Sequence, residues 1–481
     1  MNPSDLVARD LAVLWHPCSQ MRDYRTFPPL KVVSASGCRL TLADGRDVLD
    51  AISSWWCKSL GHGHPRLRAA LIAQAERFEH VILANTTNEP IVRLCERLLA
   101  AANGQGVAAW GPAGALSTPG HAVPGHFAKV FFADNGSTAV EVAIKLALQA
   151  QAQLGRPART RFAAFANGYH GETLGALSVG DCGLYKDTYA PLLFPSTQLG
   201  PLPYRSGPDD PRWMEAEPEW SAIQAQLAPL ADSLAAIIYE PVLQGAGGMR
   251  IYAPALLARL RDWADAHDVL LIADEIAAGM GRCGALLASH LATPQAQPLD
   301  GALTSPLALP DIAVVSKGLT AGFLPQAAVL TTEALYQAFD GEWQEGRAFL
   351  HSNTFAGNAL AVAVAHAVLD VYADEQVLEQ VARHGPLLAA GLTQLARERP
   401  YLRNVRGVGM MAAVDLRAPD GGPLSASSRT GWQVYQLAVA RGALLRPLGD
   451  TLYLFPPLTT GTEDLSAMLG ILADSCRDVL G

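Results

Sequence analysis

Between about residue 129 and residue 331 the chain alternates two hydrophobic patterns. Short runs of β-branched and aliphatic residues predict strands at 129–133, 161–166, 235–240, 269–274, 311–316 and 327–331. Between them, apolar residues recur every three or four positions. Ile91, Leu94, Cys95, Leu98 and Leu99 share one face of a predicted helix over 89–100, and Val140, Ala143, Ile144, Ala147 and Leu148 one over 137–150. Strands alternating with helices predict an α/β fold around a mostly parallel sheet.

The two ends read differently. Turn signals at Gly37 and Asp44-Gly45 divide 31–51 into short antiparallel strands. Near the other end, 430–441 predicts a helix stopped by Gly442, and 443–447 and 451–455 flank Gly449-Asp450 as a hairpin would. The expectation is a large domain over 76–357 and a smaller α+β domain assembled from 1–75 and 358–481. Stretches 103–126, 201–218 and 292–310 are proline-rich or glycine-rich, show no periodicity, and predict surface insertions.

Composition narrows the class. With 481 residues, half of them hydrophobic, the chain can bury a large core. A net charge of −9 and the lack of a basic stripe argue against a nucleic-acid partner. No stretch approaches the roughly 20 apolar residues of a membrane span, and the first residues lack an export-type apolar core. Seven scattered cysteines with no C-x-x-C pair predict reduced thiols in a cytoplasm and no zinc site.

Two residues carry the candidate chemistry. Asp274 ends one apolar run and Lys317 follows another. A lysine amine can condense with the aldehyde of pyridoxal 5'-phosphate, and a carboxylate can keep the pyridine nitrogen protonated. Either residue alone is better explained as a surface lysine or a capping aspartate. Two further features join them. Gly136, Ser137 and Thr138 open a helix directly after a strand, as a phosphate cradle requires. Tyr169, in a glycine-flanked turn, offers a ring to stack on the pyridine.

Other patterns point elsewhere and are set aside. Gly279-x-Gly281-x-x-Gly284 lies several residues past its strand, where a dinucleotide fingerprint does not belong. His62-x-His64 lies in a Gly and Pro turn without a third ligand, so no metal is expected there. Trp55-Trp56, beside Ser53-Ser54, fits either a core or a pocket wall.

Taken together, these motifs resemble the class III aminotransferases of fold type I. Ile272-Ala273-Asp274-Glu275-Ile276-Ala277 and Ser316-Lys317-Gly318-Leu319-Thr320 are typical of the whole class. Ser53-Ser54-Trp55-Trp56, Asn167-Gly168-Tyr169-His170-Gly171, Gln244-Gly245-Ala246-Gly247-Gly248-Met249 and Leu445-Arg446-Pro447-Leu448-Gly449 are similar to its biotin-synthesis branch. The resemblance runs from Leu14-Trp15-His16-Pro17 to Tyr453-Leu454-Phe455-Pro456-Pro457, apart from the insertions.

The resemblance implies a homodimer, pyridoxal 5'-phosphate as cofactor, 8-amino-7-oxononanoate as amino acceptor and S-adenosyl-L-methionine as donor, with ping-pong exchange through Lys317. It implies that Gly136, Ser137, Tyr169, Asp274, Lys317 and Thr354 hold the cofactor, Thr354 reaching a neighbouring subunit's site. It further implies that Trp55, Trp56, Arg282, Ser352, Arg446 and Tyr453 meet substrate, Arg446 at the keto acid's carboxylate. The alternatives are a class III enzyme acting on an ω-amino acid or diamine, or a lysine-using variant. Cys18 stands where many relatives carry an aromatic residue, and Glu172 where an aspartate is usual. Ser352-Asn353 replaces a Gly-Pro pair of some relatives.

Overall fold

The computed structural model describes residues 3–112, 125–293, 308–418 and 420–481. A seven-stranded sheet forms its centre, in the spatial order Phe127–Ala133, Ala327–Thr332, Ile312–Val315, Leu270–Asp274, Leu234–Tyr239, Arg161–Phe165, Ser196–Leu199. Six of these are the predicted strands, with shifted ends. Only Ala327–Thr332 runs against its neighbours; the remaining pairings are parallel. The seventh strand escapes the hydrophobic pattern because Ser196-Thr197-Gln198 is polar, as a sheet edge permits.

Both faces of this sheet are covered, so its strands are apolar on consecutive residues. On one face Ile238, Ile272, Ile312 and Val314 pack with Val140, Ala143, Ile144 and Ala147 of helix Gly136–Gln153. On the other, Ile237, Tyr239, Leu271 and Ala273 pack with Leu256, Leu257, Leu260 and Trp263 of helix Ala255–Ala266. Each fully buried aliphatic side chain contributes about 1.5–3 kcal/mol against exposure, which holds the strand ends in place.

The ends of the chain meet. Val32–Ser36, Arg39–Leu42 and Asp47–Asp50 form the predicted antiparallel strands, with Gly37 and Gly45 at φ 55° and 87° in their turns. The predicted C-terminal hairpin is corrected. Ala443–Leu444 pairs in parallel with Asp47–Asp50, whereas Thr451–Leu454 pairs antiparallel with Met411–Leu416. Only one bridge, Leu448 to Thr451, joins the two arms. Turn chemistry marked the reversal, but partners distant in sequence captured each arm.

Two predicted insertions are also revised where they are described. Val107–Trp110 is a helical turn whose Trp110 is buried beside Arg97. Within 201–218, Tyr204–Arg205 pairs with Arg250–Tyr252, and Leu202 and Ala216 are buried. Residues 113–124 and 294–307 of the predicted insertions lie outside the described residues.

Candidate active site

Strand pairing aligns Asp274 with Val314, so Lys317 emerges three residues past Asp274's neighbour on the adjacent parallel strand. Asp274 is buried; its Oδ2 lies 2.9 Å from His170 Nδ1, and its Oδ1 accepts from the Ile276 amide at 3.1 Å. Among the described residues the Lys317 side chain makes no hydrogen bond or ion pair, and its Nζ sits 5.5 Å from the Trp56 ring centroid. Part of its side chain faces a half-open cavity. Desolvation pushes the Lys317 ammonium down, with the charges of Asp274, Cys57 and Glu240 pulling the other way.

Glu240 is a buried acid beside this pair. Its oxygens accept from the amides of Tyr169 and Gly245, each at 2.9 Å. Burial pushes its carboxyl up to about 7, aided by the nearby Asp274 charge and opposed by His170 and the two amides.

Opposite lies the start of helix Gly136–Gln153. Asn135 and Thr138 form a reciprocal capping box, which consumes the Thr138 amide. The Gly136 and Ser137 amides have no partner among the described residues and face the cavity end of the helix, where partial positive charge accumulates. A Cβ at Gly136 would stand 2.9 Å from Ile276 Cδ1, so any larger residue there would have to displace that side chain. Gly171, at φ 122°, comes still closer to Ser137: its Cβ would sit 2.2 Å from Oγ. Tyr169 lines the same space, with its hydroxyl donating to Glu172 Oε1 at 3.0 Å.

The remaining wall comes from the chain ends. Ser53, Ser54 and Trp56 adopt φ of 50°, 60° and 63°, a conformation costing on the order of 1–3 kcal/mol per non-glycine residue. The resulting turn sends Trp55 against the Arg446 guanidinium, 4.3 Å from ring centroid to Cζ, and Trp56 Nε1 to the Tyr453 hydroxyl at 3.0 Å. Arg446 forms no ion pair among the described residues; its Nη2 donates to the Cys18 carbonyl at 2.8 Å. Cys18 Sγ lies 3.8 Å from Glu172 Oε1.

One cavity of about 1430 Å³ is thus lined by Gly136, Ser137, Tyr169, Asp274, Lys317, Trp55, Trp56, Arg446 and Tyr453. Three predicted site residues are elsewhere. Arg282 is buried and does not line this cavity: its Nη1 donates to the Met410 and Pro456 carbonyls, and its guanidinium lies 3.7 Å from the Phe455 ring. Gly281 before it is left-handed, at φ 82°. Ser352 and Thr354 are exposed on their own chain and do not line this cavity. His170 and Glu240 gave no sequence signal of their own, since their roles come from contacts across strands.

The donor set fits pyridoxal 5'-phosphate. Two uncommitted helix-start amides suit a phosphate, a buried carboxylate suits a ring nitrogen, and an unpaired amine in the same cavity suits an aldehyde.

Comparison with known proteins agrees. The family described as Aminotransferase class-III matches residues 20–475. The adenosylmethionine-8-amino-7-oxononanoate aminotransferase of Synechococcus elongatus is 39% identical, with 97% of this chain and 99% of that protein aligned. The protein of the same name from Geobacter sulfurreducens is 36% identical over 97% and 96%. Among solved structures, the Methanocaldococcus jannaschii protein of that name superposes with TM-score 0.85 at 29% identity, covering 99% of each chain. An amine transaminase from an uncultivated Pseudomonas species, in its PLP-bound form, gives 0.83 at 30%, covering 97% and 98%.

Proposed function

The chain belongs to the class III aminotransferases, and on that premise we propose that it aminates 8-amino-7-oxononanoate to 7,8-diaminononanoate in biotin biosynthesis. It is a pyridoxal 5'-phosphate-dependent transaminase of fold type I. The observation carrying the substrate assignment is a single cavity with Lys317 and Asp274 on one wall and an ion-pair-free Arg446 on another. A nine-carbon keto acid ending in one carboxylate needs an apolar slot and one fork-shaped donor. Trp55, Trp56 and Arg446 supply both.

When bound, pyridoxal phosphate supplies an exchangeable carbonyl and a protonated ring that withdraws electrons from the substrate carbon. The Gly136 and Ser137 amides would hold its phosphate, Tyr169 would supply a ring for it to stack on, and Asp274, hydrogen-bonded to His170, would keep its nitrogen protonated. Lys317 Nζ, its ammonium weakened by burial, would move a proton from the donor's amine-bearing carbon to the cofactor's carbon in the first half-reaction, and from that carbon to the acceptor's carbon in the second. Trp56 and Tyr453 exclude water from that amine, and Arg446 holds the keto acid's carboxylate.

The donor is S-adenosyl-L-methionine; lysine is the second reading, favoured by the small Cys18 beside Glu172 and Arg446. Thr354 and Ser352 serve the site of a second copy in a homodimer. Support comes from the exposed apolar Ile82, Trp343, Leu350 and Phe355, at 65%, 78%, 80% and 60% exposure. Residues 76–357 form the cofactor-holding domain, and 1–75 with 358–481 the smaller one, a division supported by the Asp47–Asp50 to Ala443–Leu444 pairing. Seven free thiols, with no described helix long and apolar enough to cross a membrane, support a cytoplasmic setting.

The test is direct. Incubating the loaded protein and the keto acid with S-adenosyl-L-methionine or lysine in separate reactions should yield the diamine by mass spectrometry with one of them. Its absence with both donors overturns the assignment.

A further inference from the structure

Asp50 is a buried carboxylate with no lysine or arginine partner, at the end of strand Asp47–Asp50 and with 0% exposure. It accepts instead from the amides of Ile52 at 3.3 Å and Ser54 at 2.9 and 2.7 Å, and its Oδ2 lies 2.7 Å from His62 Nε2. For stability alone, a buried charge is a poor solution beside an apolar side chain of similar size. Its worth lies in the conformation that its bonds select.

That conformation is the distorted turn Ser53–Trp56. Three of its residues occupy left-handed φ without a glycine among them. Glycine is the default for such a backbone, and non-glycine residues stay there only when their surroundings over-determine it. Here the surroundings are identifiable. Asp50 captures the Ser54 amide, Ser53 Oγ donates to the Phe455 carbonyl at 2.7 Å, and Trp56 Nε1 reaches Tyr453. His62 is itself pinned by paired backbone bonds with Gly37, at 2.7 and 3.0 Å. The Asp50 carboxylate therefore ties the turn to the first hairpin. The His62 imidazole, which spacing offered as a metal ligand, is committed to this contact.

We propose that Asp50 and His62 are positioning residues for keto-acid binding, holding the Ser53–Trp56 turn so that Trp55 presents to Arg446 and Trp56 to Lys317. The inference rests on reading the Arg446 wall as the keto-acid site. Asp274 ends strand Leu270–Asp274, and Lys317 opens the 3-10 turn Lys317–Thr320 just past strand Ile312–Val315, so both are anchored in the central sheet. Loss of the Asp50 bonds should therefore displace the indoles more than the reactive amine.

The experiment uses the full-length loaded enzyme and the variants Asp50→Ala, Asp50→Asn and His62→Gln. Each is measured for kcat and KM with 8-amino-7-oxononanoate, for Tm, and for the borohydride-trapped pyridoxyl adduct at Lys317. Asp50→Ala should raise the keto-acid KM about tenfold, the size of one charge-assisted hydrogen bond, with kcat changed less and the adduct retained. Asp50→Asn should recover most of that loss, because its amide oxygen still accepts from Ser54. A KM within about twofold of wild type in a folded, destabilised Asp50→Ala protein means a structural role only, and overturns the proposal. Should Asp50→Ala fail to fold, His62→Gln decides: a KM rise of roughly threefold at unchanged Tm supports the proposal, and an unchanged KM overturns it. Failure of the wild type to form the diamine with either donor is a separate result, which removes the parent reading first.

Discussion

The two walls of the cavity are built on opposite principles. The Lys317–Asp274 wall stands on adjacent parallel strands buried on both faces, where packing fixes the strand ends. The Trp55–Arg446 wall comes from turns at the two chain ends, joined by a guanidinium on an indole, a carbonyl contact and strained backbone. On the proposed reading, chemistry falls to the rigid wall and recognition to the turn-built one. A rigid wall suits groups that must meet the same atoms in both half-reactions. The turn-built wall would meet two unlike substrates in turn.

The contrast predicts different kinetic signatures for damage to each wall. The largest effect is expected from Lys317→Ala, which should lower kcat by at least about 10²–10⁴-fold and abolish the borohydride-trapped adduct. A surviving adduct would place the reactive amine elsewhere. Asp274→Asn comes next, with kcat reduced on the order of 10²–10³-fold and KM changed little, because it removes preorganised charge and not a binding contact. An unaltered kcat would show that Asp274 does not face the ring nitrogen.

Arg446→Ala tests the other wall. It should raise the keto-acid KM about ten- to hundredfold at nearly constant kcat, since a charge-assisted contact is lost in ground and transition states alike. Equal losses in kcat and kcat/KM would dissolve the distinction between the walls.

The smallest effect concerns the acid beneath the rigid wall. Glu240 is raised by burial from the usual 4.5 to about 7, so the folded state binds more protons than the unfolded chain between those values. Its contribution to stability is present below pH 4.5 and is lost as pH rises toward 7. Glu240→Gln lacks that loss. The Tm of the variant minus that of the wild type should therefore increase between pH 5 and pH 7.5, a range set by linkage of about these values. A flat difference would show that Glu240 carries no proton linked to folding.

Much of the rigid wall is legible in the chain itself. Val269 to Asp274 and Ile312 to Lys317 each present an apolar run ending in one chemical group, and a strand followed by Gly136-Ser137 announces an anion site. Local order suffices there because strand period, turn chemistry and helix start are all short-range properties. The edge strand Ser196–Leu199 was not legible, because exposure removes the pattern that marks the others.

The turn-built wall was legible only in part. Trp55, Trp56 and Arg446 could be named, yet nothing near Arg282 in sequence reveals that its guanidinium is spent on the Met410 and Pro456 carbonyls. His170 against Asp274, Glu240 against the Tyr169 amide and Asp50 against His62 are likewise invisible to periodicity.

The amino-acid order by itself determined the α/β class, and it pointed to Lys317 and Asp274 as the proposed reactive pair and to Gly136-Ser137 as the proposed phosphate cradle. Tertiary structure alone decided which arm of the apparent C-terminal hairpin joins which sheet, which arginine faces the cavity and which is spent on carbonyls, and which carboxylates are buried. Those outcomes depend on contacts between residues from about ten to several hundred positions apart, whose energies are settled by packing and desolvation after the chain has closed on itself.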